Sequence, residues 1–228
     1  MLTGLQHFDP SKLGTKFRAS AWKDDFVHAP LFQALGDQLI RRSHVFDAYR
    51  KDVALGVVWT IVWGYPSGKI SQYDKKGGDA CAAIDKAPEF ATVIDDLRKR
   101  QPLPVQEIIS ALNKVSSGAA TSTTSKIAYF SGLIGKEGPC LIFDKQVVRA
   151  IFTLKDAAIM PLRNAITPTG LSASASVDDF VGAVTTRGNQ EKFYPAYLAG
   201  MTNLSFKLGR RYPPELIEQF LFARRNKP

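Results

Sequence analysis

The sequence predicts an all-α fold. In most segments apolar side chains recur every three or four residues, the spacing that places them on one face of a helix. The longest such stripe runs from Phe193 to Leu208 and stops at Gly209, a residue type common just after helix ends. Pro88 and Pro214 stand where two other stripes begin, and proline favours the first turn of a helix. The periodicity and the positions of proline and glycine therefore both indicate helices.

Composition limits the class of protein and of partner. The 228 residues are 45% hydrophobic, which is ordinary for a globular chain with one sizeable core. Thirty Lys and Arg against 21 Asp and Glu give a net charge of +9. A basic surface concentrates polyanions, so nucleic acid is the first partner class and an acidic membrane surface the second. No Gly/Ser linker divides the chain, and we expect one compact body that is a monomer.

Cysteine and histidine content argues against a metal site. Cys81 and Cys140 are too few for a disulfide framework, and the three histidines lack the spacing of metal ligands. We therefore expect a reduced protein without metal or cofactor. The longest apolar run, Val53 to Trp63, is far shorter than the roughly 20 residues of a membrane span. The N-terminus has no signal-peptide pattern, so the expected location is cytoplasmic.

The first part of the chain predicts an irregular arm followed by two helices. Residues 1–29 carry scattered Gly and Pro and little periodicity. A stripe of leucines then predicts a helix over 30–42, with its two arginines in the last turn, where a cation favours the helix dipole. The run 46–63 predicts a second helix that becomes apolar on every side, although a buried strand is the alternative.

The rest of the chain predicts further helices separated by breaks. Segment 64–78 has no periodicity and is expected to be a loop with aromatic residues and lysines, either a DNA contact or a simple connection. Helices are predicted from Pro88, from Val105 and from near Ser122. Others are predicted from Asp144 and from Ser176. The last two are the stripe from Phe193 to Leu208 and the stripe that begins at Pro214.

A hairpin of small residues between the helices from Val105 and near Ser122 carries the strongest functional signal. Backbone N–H groups and hydroxyls at a helix N-terminus suit a phosphate, because the unpaired donors and the positive end of the dipole point the same way. Lys126 comes next, and Asp144 stands just beyond the apolar run CLIF. The candidate DNA-binding residues are Ala120, Thr121, Ser122, Thr123, Thr124 and Ser125.

This order of hairpin, lysine and aspartate resembles the helix-hairpin-helix DNA glycosylases. Within them it is most similar to the bacterial branch that resembles 8-oxoguanine DNA glycosylase, which includes phage-defence enzymes acting on modified cytosine. The resemblance covers Val105 to Phe152 and is weaker in WGYPSGK and PPELIEQFLF. The chain departs from the family's pattern in the hairpin, where the usual glycines are replaced. The replacing residues are Ala120, Ser122, Thr123 and Thr124.

The resemblance also implies an architecture of two helical lobes with the active-site cleft between them. Residues 46–143 would form a helical barrel that contains the helix-hairpin-helix at about 105–131. Residues 1–45 and 144–228 would pack together as the second lobe. Lys126 would then reach the cleft from the hairpin and Asp144 from the start of the other lobe.

Asp144 and Lys126 are the catalytic residues that the resemblance implies. Asp144 would meet the positive charge that develops on the sugar, orient a water or accept a proton from an attacking amine. The simpler explanation is a helix N-cap, which contributes roughly 1 kcal/mol. Lys126 matches the nucleophile of the bifunctional members, which forms a Schiff base. It could instead contact a phosphate beside the hairpin.

Aromatic residues near the predicted loop are candidates for the base pocket or for a wedge that replaces lost base stacking. They are Trp59, Trp63 and Tyr65, with Lys69 beside them. Packing in the core is the alternative explanation for both tryptophans.

Two functions remain open from the sequence. The first is a DNA N-glycosylase, with or without lyase activity, that flips out and excises a damaged or modified base from double-stranded DNA. The second is a non-catalytic helix-hairpin-helix module that holds DNA for a partner.

Overall fold

The computed structural model describes residues 2–22, 32–33, 35–66, 80–116, 121–172, 174–209 and 211–224. Over these residues the protein is mostly helical, so the all-α prediction is confirmed. The helices are α1 (Arg42–Lys51), α2 (Val53–Gly64), α3 (Ala80–Asp85), α4 (Ala87–Arg100), α5 (Val105–Val115), α6 (Thr121–Phe130), α7 (Lys145–Thr153), α8 (Met160–Ala165), α9 (Val177–Val184), α10 (Arg187–Lys207) and α11 (Pro214–Ala223).

Helices with local start and stop signals lie where they were predicted. Pro88 and Pro214 stand in the first turns of α4 and α11. Ser176 caps α9 through a capping box, in which its side chain and that of Asp179 each bond the other's backbone. Gly209 follows α10 with a positive φ of 81°, which glycine adopts without strain.

The helix predicted over 30–42 is wrong in its last part. Gln38–Arg41 is strand β2, which pairs antiparallel with β1 (Gly14–Phe17) in a region otherwise made of short 3-10 turns. Ile40 is fully buried while its neighbour Leu39 is 36% exposed, the alternation of a strand. Pairing with a segment more than 20 residues away overrides the leucine stripe, and periodicity alone does not reveal such a partner.

The helix predicted over 46–63 is two helices broken at Asp52. Asp52 is extended and caps α2, with its carboxylate accepting a hydrogen bond from the Leu55 amide at 2.7 Å. The two helices pack so closely that a Cβ on Gly56 would lie 2.3 Å from the ring of Tyr49. The alternative of a buried strand is wrong. Helix α2 also packs against α4 and α6, in the middle of the helical core.

A short segment joins α5 and α6, the predicted helix-hairpin-helix pair, to α7. Two-residue strands β3 (Ile134–Gly135) and β4 (Gly138–Pro139) first form a small hairpin. Residues 140–143, which we call the strap, belong to no helix or strand and lead directly to Asp144. The long helix α10 lies beside the strap and also packs against α5, α8 and α11.

The first residues of the described chain pack on the last helix. Phe8 meets Phe220 of α11 edge to face, with ring centroids 5.6 Å apart. The guanidinium of Arg224 donates to the carbonyl of Thr3 at 3.0 Å. The lobe boundaries at 46 and 144 stay a prediction.

Candidate active site

Helix α6 carries Lys126 into the interior. The side chain is only 6% exposed. Its Nζ donates to the Ser122 carbonyl of the same helix at 2.9 Å and lies 5.8 Å from the centre of the Tyr65 ring. Gly64, the last residue of α2, leaves room for the lysine stem, since a Cβ at that position would lie 3.0 Å from the Lys126 Cδ. The Lys126 amine is therefore held by several groups, and Gly64 leaves space for its stem.

Asp144 divides its two carboxylate oxygens between a helix and an amine. Its Oδ1 accepts hydrogen bonds from the amides of Gln146 at 3.0 Å and Val147 at 3.1 Å, so it is the N-cap of α7, as predicted. Its Oδ2 lies 3.1 Å from Lys126 Nζ. The cap and the ion pair are thus compatible, and the helix N-terminus favours the carboxylate further.

Both groups are held in their charged forms. Burial by itself lowers the pKa of Lys126, but the charge of Asp144 raises it above its usual value. Burial acts to raise the pKa of Asp144, and Lys126 together with the Val147 and Gln146 amides holds it below its usual value. In the protein without DNA, the pair is an ammonium facing a carboxylate.

The strap that precedes Asp144 is bonded on several sides. The hydroxyl of Tyr194 donates to the Leu141 carbonyl at 2.7 Å and accepts from the Leu141 amide at 3.2 Å. The Tyr197 hydroxyl donates to the Ile142 carbonyl at 3.0 Å. The Phe143 amide donates to Ser125 Oγ at 3.2 Å. Side chains of α6 and α10 thereby fix the backbone that presents Asp144.

A second buried ion pair lies near the first. Arg42 at the start of α1 binds Glu218 of α11 through two hydrogen bonds, of 2.6 and 2.9 Å. The guanidinium lies over the rings of Trp63 and Tyr129, 5.3 and 5.0 Å from their centres. Burial raises the pKa of Glu218 although Arg42 opposes it, and the charges of Asp144 and Lys126 also act on Glu218. The two pairs therefore influence each other electrostatically.

The predicted hairpin residues that the structure describes lie at the start of α6, and most of their side chains are buried. Ala120 lies outside the described residues. Ser122 is half-buried. The other predicted DNA-binding side chains, Thr121, Thr123, Thr124 and Ser125, are fully buried. The Thr123 hydroxyl is 2.5 Å from that of Tyr65. Backbone N–H groups, rather than these hydroxyls, are what this helix N-terminus can present to a phosphate.

The predicted base-pocket residues have different surroundings. Trp63 is buried between Phe130 and Phe222, with ring centroids 5.2 and 5.7 Å away, so it packs in the core. Trp59 is half-buried against the same core. Tyr65 lies beside Lys126, and Lys69 is outside the described residues. Of the three that the structure describes, Tyr65 is the one placed beside Lys126.

Several residues near the site were missed in the sequence. A helix dipole was a sufficient explanation for Arg42 in the sequence, because the signal that it pairs with Glu218 is spatial. Tyr194 was not singled out, and Tyr197 was assigned only to an apolar stripe. Tyrosines three residues apart on one helix face could have indicated two hydroxyls directed at one target.

The described residues show neither a cluster of metal ligands nor a membrane-spanning helix. No group of three or more His, Cys, Asp and Glu side chains is arranged there to hold a metal ion. Nor is any helix in that part of the chain both long and apolar enough to cross a bilayer.

Comparison with known proteins covers nearly the whole chain. A sequence model of the family described as "Putative 8-oxoguanine DNA glycosylase OGG-like protein" matches residues 7–222. No curated protein and no solved structure matches. The matched range contains α5, α6, Lys126, the strap and Asp144. The chain therefore belongs to the OGG-like family of that description.

Proposed function

We propose that this protein is a DNA glycosylase that rotates a damaged or modified base out of a duplex and cleaves its N-glycosidic bond. The observation that carries the proposal is the buried contact of 3.1 Å between Lys126 and Asp144, next to a helix-hairpin-helix. Burying two charges is costly, and replacing such a pair by apolar residues is often neutral or stabilising. A chemical role for the pair explains why the charges are kept.

Asp144 is suited to the charge that base departure creates. As the N-glycosidic bond breaks, positive charge develops on the sugar, and a fixed carboxylate in a water-poor site stabilises it. In the resting pair, Lys126 neutralises that carboxylate. Substrate binding must therefore draw the ammonium away, for example toward a phosphate, or remove its proton. In the hydrolytic form of the reaction, Asp144 then accepts a proton from the attacking water.

Lys126 gives the proposed reaction a second form, in which the lysine amine and not water is the nucleophile. Asp144 takes a proton from the ammonium, the nitrogen lone pair attacks C1′, and the electron pair of the N-glycosidic bond leaves with the base, which takes up a proton. Opening of the sugar ring then gives a Schiff base that borohydride reduces. The raised pKa of Lys126 means that this form requires proton transfer first, since an ammonium has no lone pair to attack with.

Binding of the duplex is assigned to the backbone at the start of α6 and to basic side chains. Lys114, exposed in the last turn of α5, lies next to the hairpin in the chain. The net charge of +9 supplies the general attraction to DNA. Contacts to the DNA backbone do not select a base. The substrate class that we propose is a damaged or modified base, in repair or in phage defence.

Abasic-site formation in a panel of duplex oligonucleotides, each with one lesion or one modified cytosine, tests the function. Wild type is compared with Asp144→Asn and with Asp52→Asn, because Asp52 is also an N-cap but is exposed and caps α2. Excision by wild type that is lost in Asp144→Asn and kept in Asp52→Asn supports the proposal. Equal excision by all three removes Asp144 from the mechanism.

A non-catalytic DNA-binding module is the second candidate. The observation that favours it is that every polar atom of the Asp144 and Lys126 side chains already has a partner inside the protein. That module binds duplex DNA with no preference for a modified base and forms no abasic sites from any member of the panel.

A further inference from the structure

We propose that Ser125 is a positioning residue that holds Lys126 and Asp144 in register, and not a contact to DNA. The proposal rests on the glycosylase function and deepens it by assigning a role to a residue that touches neither substrate nor reacting atoms. Ser125 precedes Lys126 on α6, as Phe143 precedes Asp144 on the strap.

Two successive residues of α6 bind two successive residues of the segment entering α7. Ser125 Oγ accepts a hydrogen bond from the Phe143 amide at 3.2 Å, and Lys126 Nζ lies 3.1 Å from Asp144 Oδ2. A flexible lysine stem alone limits the distance to a carboxylate but leaves its direction free. A second attachment one residue away restricts that freedom, because rotating the Asp144 backbone or shifting it along α6 would break the hydrogen bond between Phe143 and Ser125.

The serine and the lysine also share an anchor. The Ser122 carbonyl accepts from Ser125 Oγ at 3.4 Å and from Lys126 Nζ at 2.9 Å. The hydroxyl thus donates its hydrogen to its own helix and accepts a hydrogen bond from the strap, so it acts both as donor and as acceptor. Serine is a weaker helix former than alanine, so helix formation alone would favour alanine here.

Burial argues against a phosphate contact for this side chain. Ser125 is fully buried, and its hydroxyl would have to leave both partners to reach DNA. The Phe143 amide would then lose its hydroxyl acceptor in the interior, which is unfavourable.

Ser125→Ala tests the proposal, with Ser131→Ala as its matched control. Ser131 directly follows α6, is 4% exposed and donates to the Ala128 carbonyl at 3.2 Å, but no hydrogen bond joins it to the strap. Ser125→Ala should lower the single-turnover excision rate about tenfold or more, since small misplacements of catalytic groups are costly. DNA affinity and its salt dependence should stay unchanged, and Ser131→Ala should excise like wild type.

A carboxyl titration of Asp144 by NMR in DNA-free protein gives a second readout that does not need activity. Loosening the ion pair should raise the pKa of Asp144 in Ser125→Ala relative to wild type and to Ser131→Ala. If wild type excises nothing, the proposed function fails while this titration still tests the positioning role. An unchanged rate together with an unchanged titration would overturn it. So would a loss of affinity and of salt dependence at an unchanged rate, because that pattern identifies a phosphate contact.

Discussion

The carboxylate of Asp144 is both a helix cap and a counter-ion, and a substitution affects the two roles differently. Asparagine is as good a cap as aspartate, so the cap alone predicts little change in stability for Asp144→Asn. The ion pair changes that expectation. Lys126 would keep its burial and lose the carboxylate charge at 3.1 Å, and leaving a buried charge unpaired is strongly destabilising.

Asp144→Asn should lower the free energy of unfolding by about 3 kcal/mol and excision by at least about a hundredfold. Urea denaturation and single-turnover kinetics measure the two effects. Asp52→Asn should stay within about 1 kcal/mol of wild type, because that carboxylate is exposed and Asn retains the cap. An Asp144→Asn protein as stable as wild type would mean that the ion pair does not form in solution.

The same pair predicts a pH dependence of stability. The pKa of Asp144 is lowered on folding, so its contribution is present above the usual aspartate pKa of about 3.9 and is lost as pH falls through the folded value. The pKa of Lys126 is raised, so its contribution is present below about 10.4 and is lost as pH rises through the folded value.

Wild type and the double variant Lys126→Met with Asp144→Asn should therefore differ in unfolding free energy by a constant amount between about pH 5 and pH 9. The stability of wild type relative to the variant should fall at both extremes. Denaturation at a series of pH values measures the difference. A difference that does not vary with pH would show that neither pKa is shifted by folding.

Lys126 also separates the two forms of the reaction. Lys126→Gln should abolish any borohydride-trapped complex with substrate DNA, because only an amine forms a Schiff base. Lys136→Gln, which changes an exposed lysine, is the control and should trap like wild type. Trapping that persists in Lys126→Gln would place the nucleophile on another residue. Wild type that excises a base without trapping is the hydrolytic form.

Among the elements, the strap is a short irregular segment whose position depends on the helices beside it. Tyr194 satisfies both the amide and the carbonyl of Leu141, whereas Tyr197 satisfies the Ile142 carbonyl. Tyr194→Phe should therefore destabilise the protein more than Tyr197→Phe, by roughly 1 kcal/mol, the contribution of one more hydrogen bond. Urea denaturation of the two variants, which lose the same atom from the same helix, checks the order. The reverse order would contradict this bonding pattern.

Elements with local signals were predictable from the sequence, and elements that depend on distant partners were not. Proline predicted the starts of α4 and α11, glycine predicted the end of α10, and Asp144 was predicted to be a cap. Strand β2 was taken for a helix, because its partner β1 lies in another part of the chain.

The candidate site was also predictable only in part from the sequence. The sequence order supplied Lys126 and Asp144, but their contact depends on how α6 and the strap pack. Burial of the threonines at the start of α6, like the pairing of Arg42 with Glu218, depends on neighbours that spacing along the chain does not specify.

For the molecule as a whole, charge governs the approach of DNA. The logarithm of affinity for duplex DNA should fall linearly with the logarithm of salt concentration, with a slope near −0.9 for each phosphate neutralised. Lys114→Gln, beside the hairpin, should make this slope shallower by about one contact. Lys51→Gln, which changes another exposed lysine, at the end of α1, should leave the slope unchanged. Fluorescence anisotropy over a range of salt concentrations measures both, and an affinity insensitive to salt would exclude phosphate contacts.

The ion pair between Arg42 and Glu218 also has a consequence for the order in which the chain is made. The ribosome adds Arg42 176 residues before its partner. During that interval the guanidinium has neither its carboxylate nor the ring of Phe222, which lies 6.0 Å from it in the finished fold. Until Glu218 is added, the fragment therefore either leaves the Arg42 guanidinium in water or buries it without its carboxylate, which is costly. Fragments from stalled or prematurely terminated synthesis before Glu218 cannot complete this core, and we expect them to be substrates for chaperones and proteases.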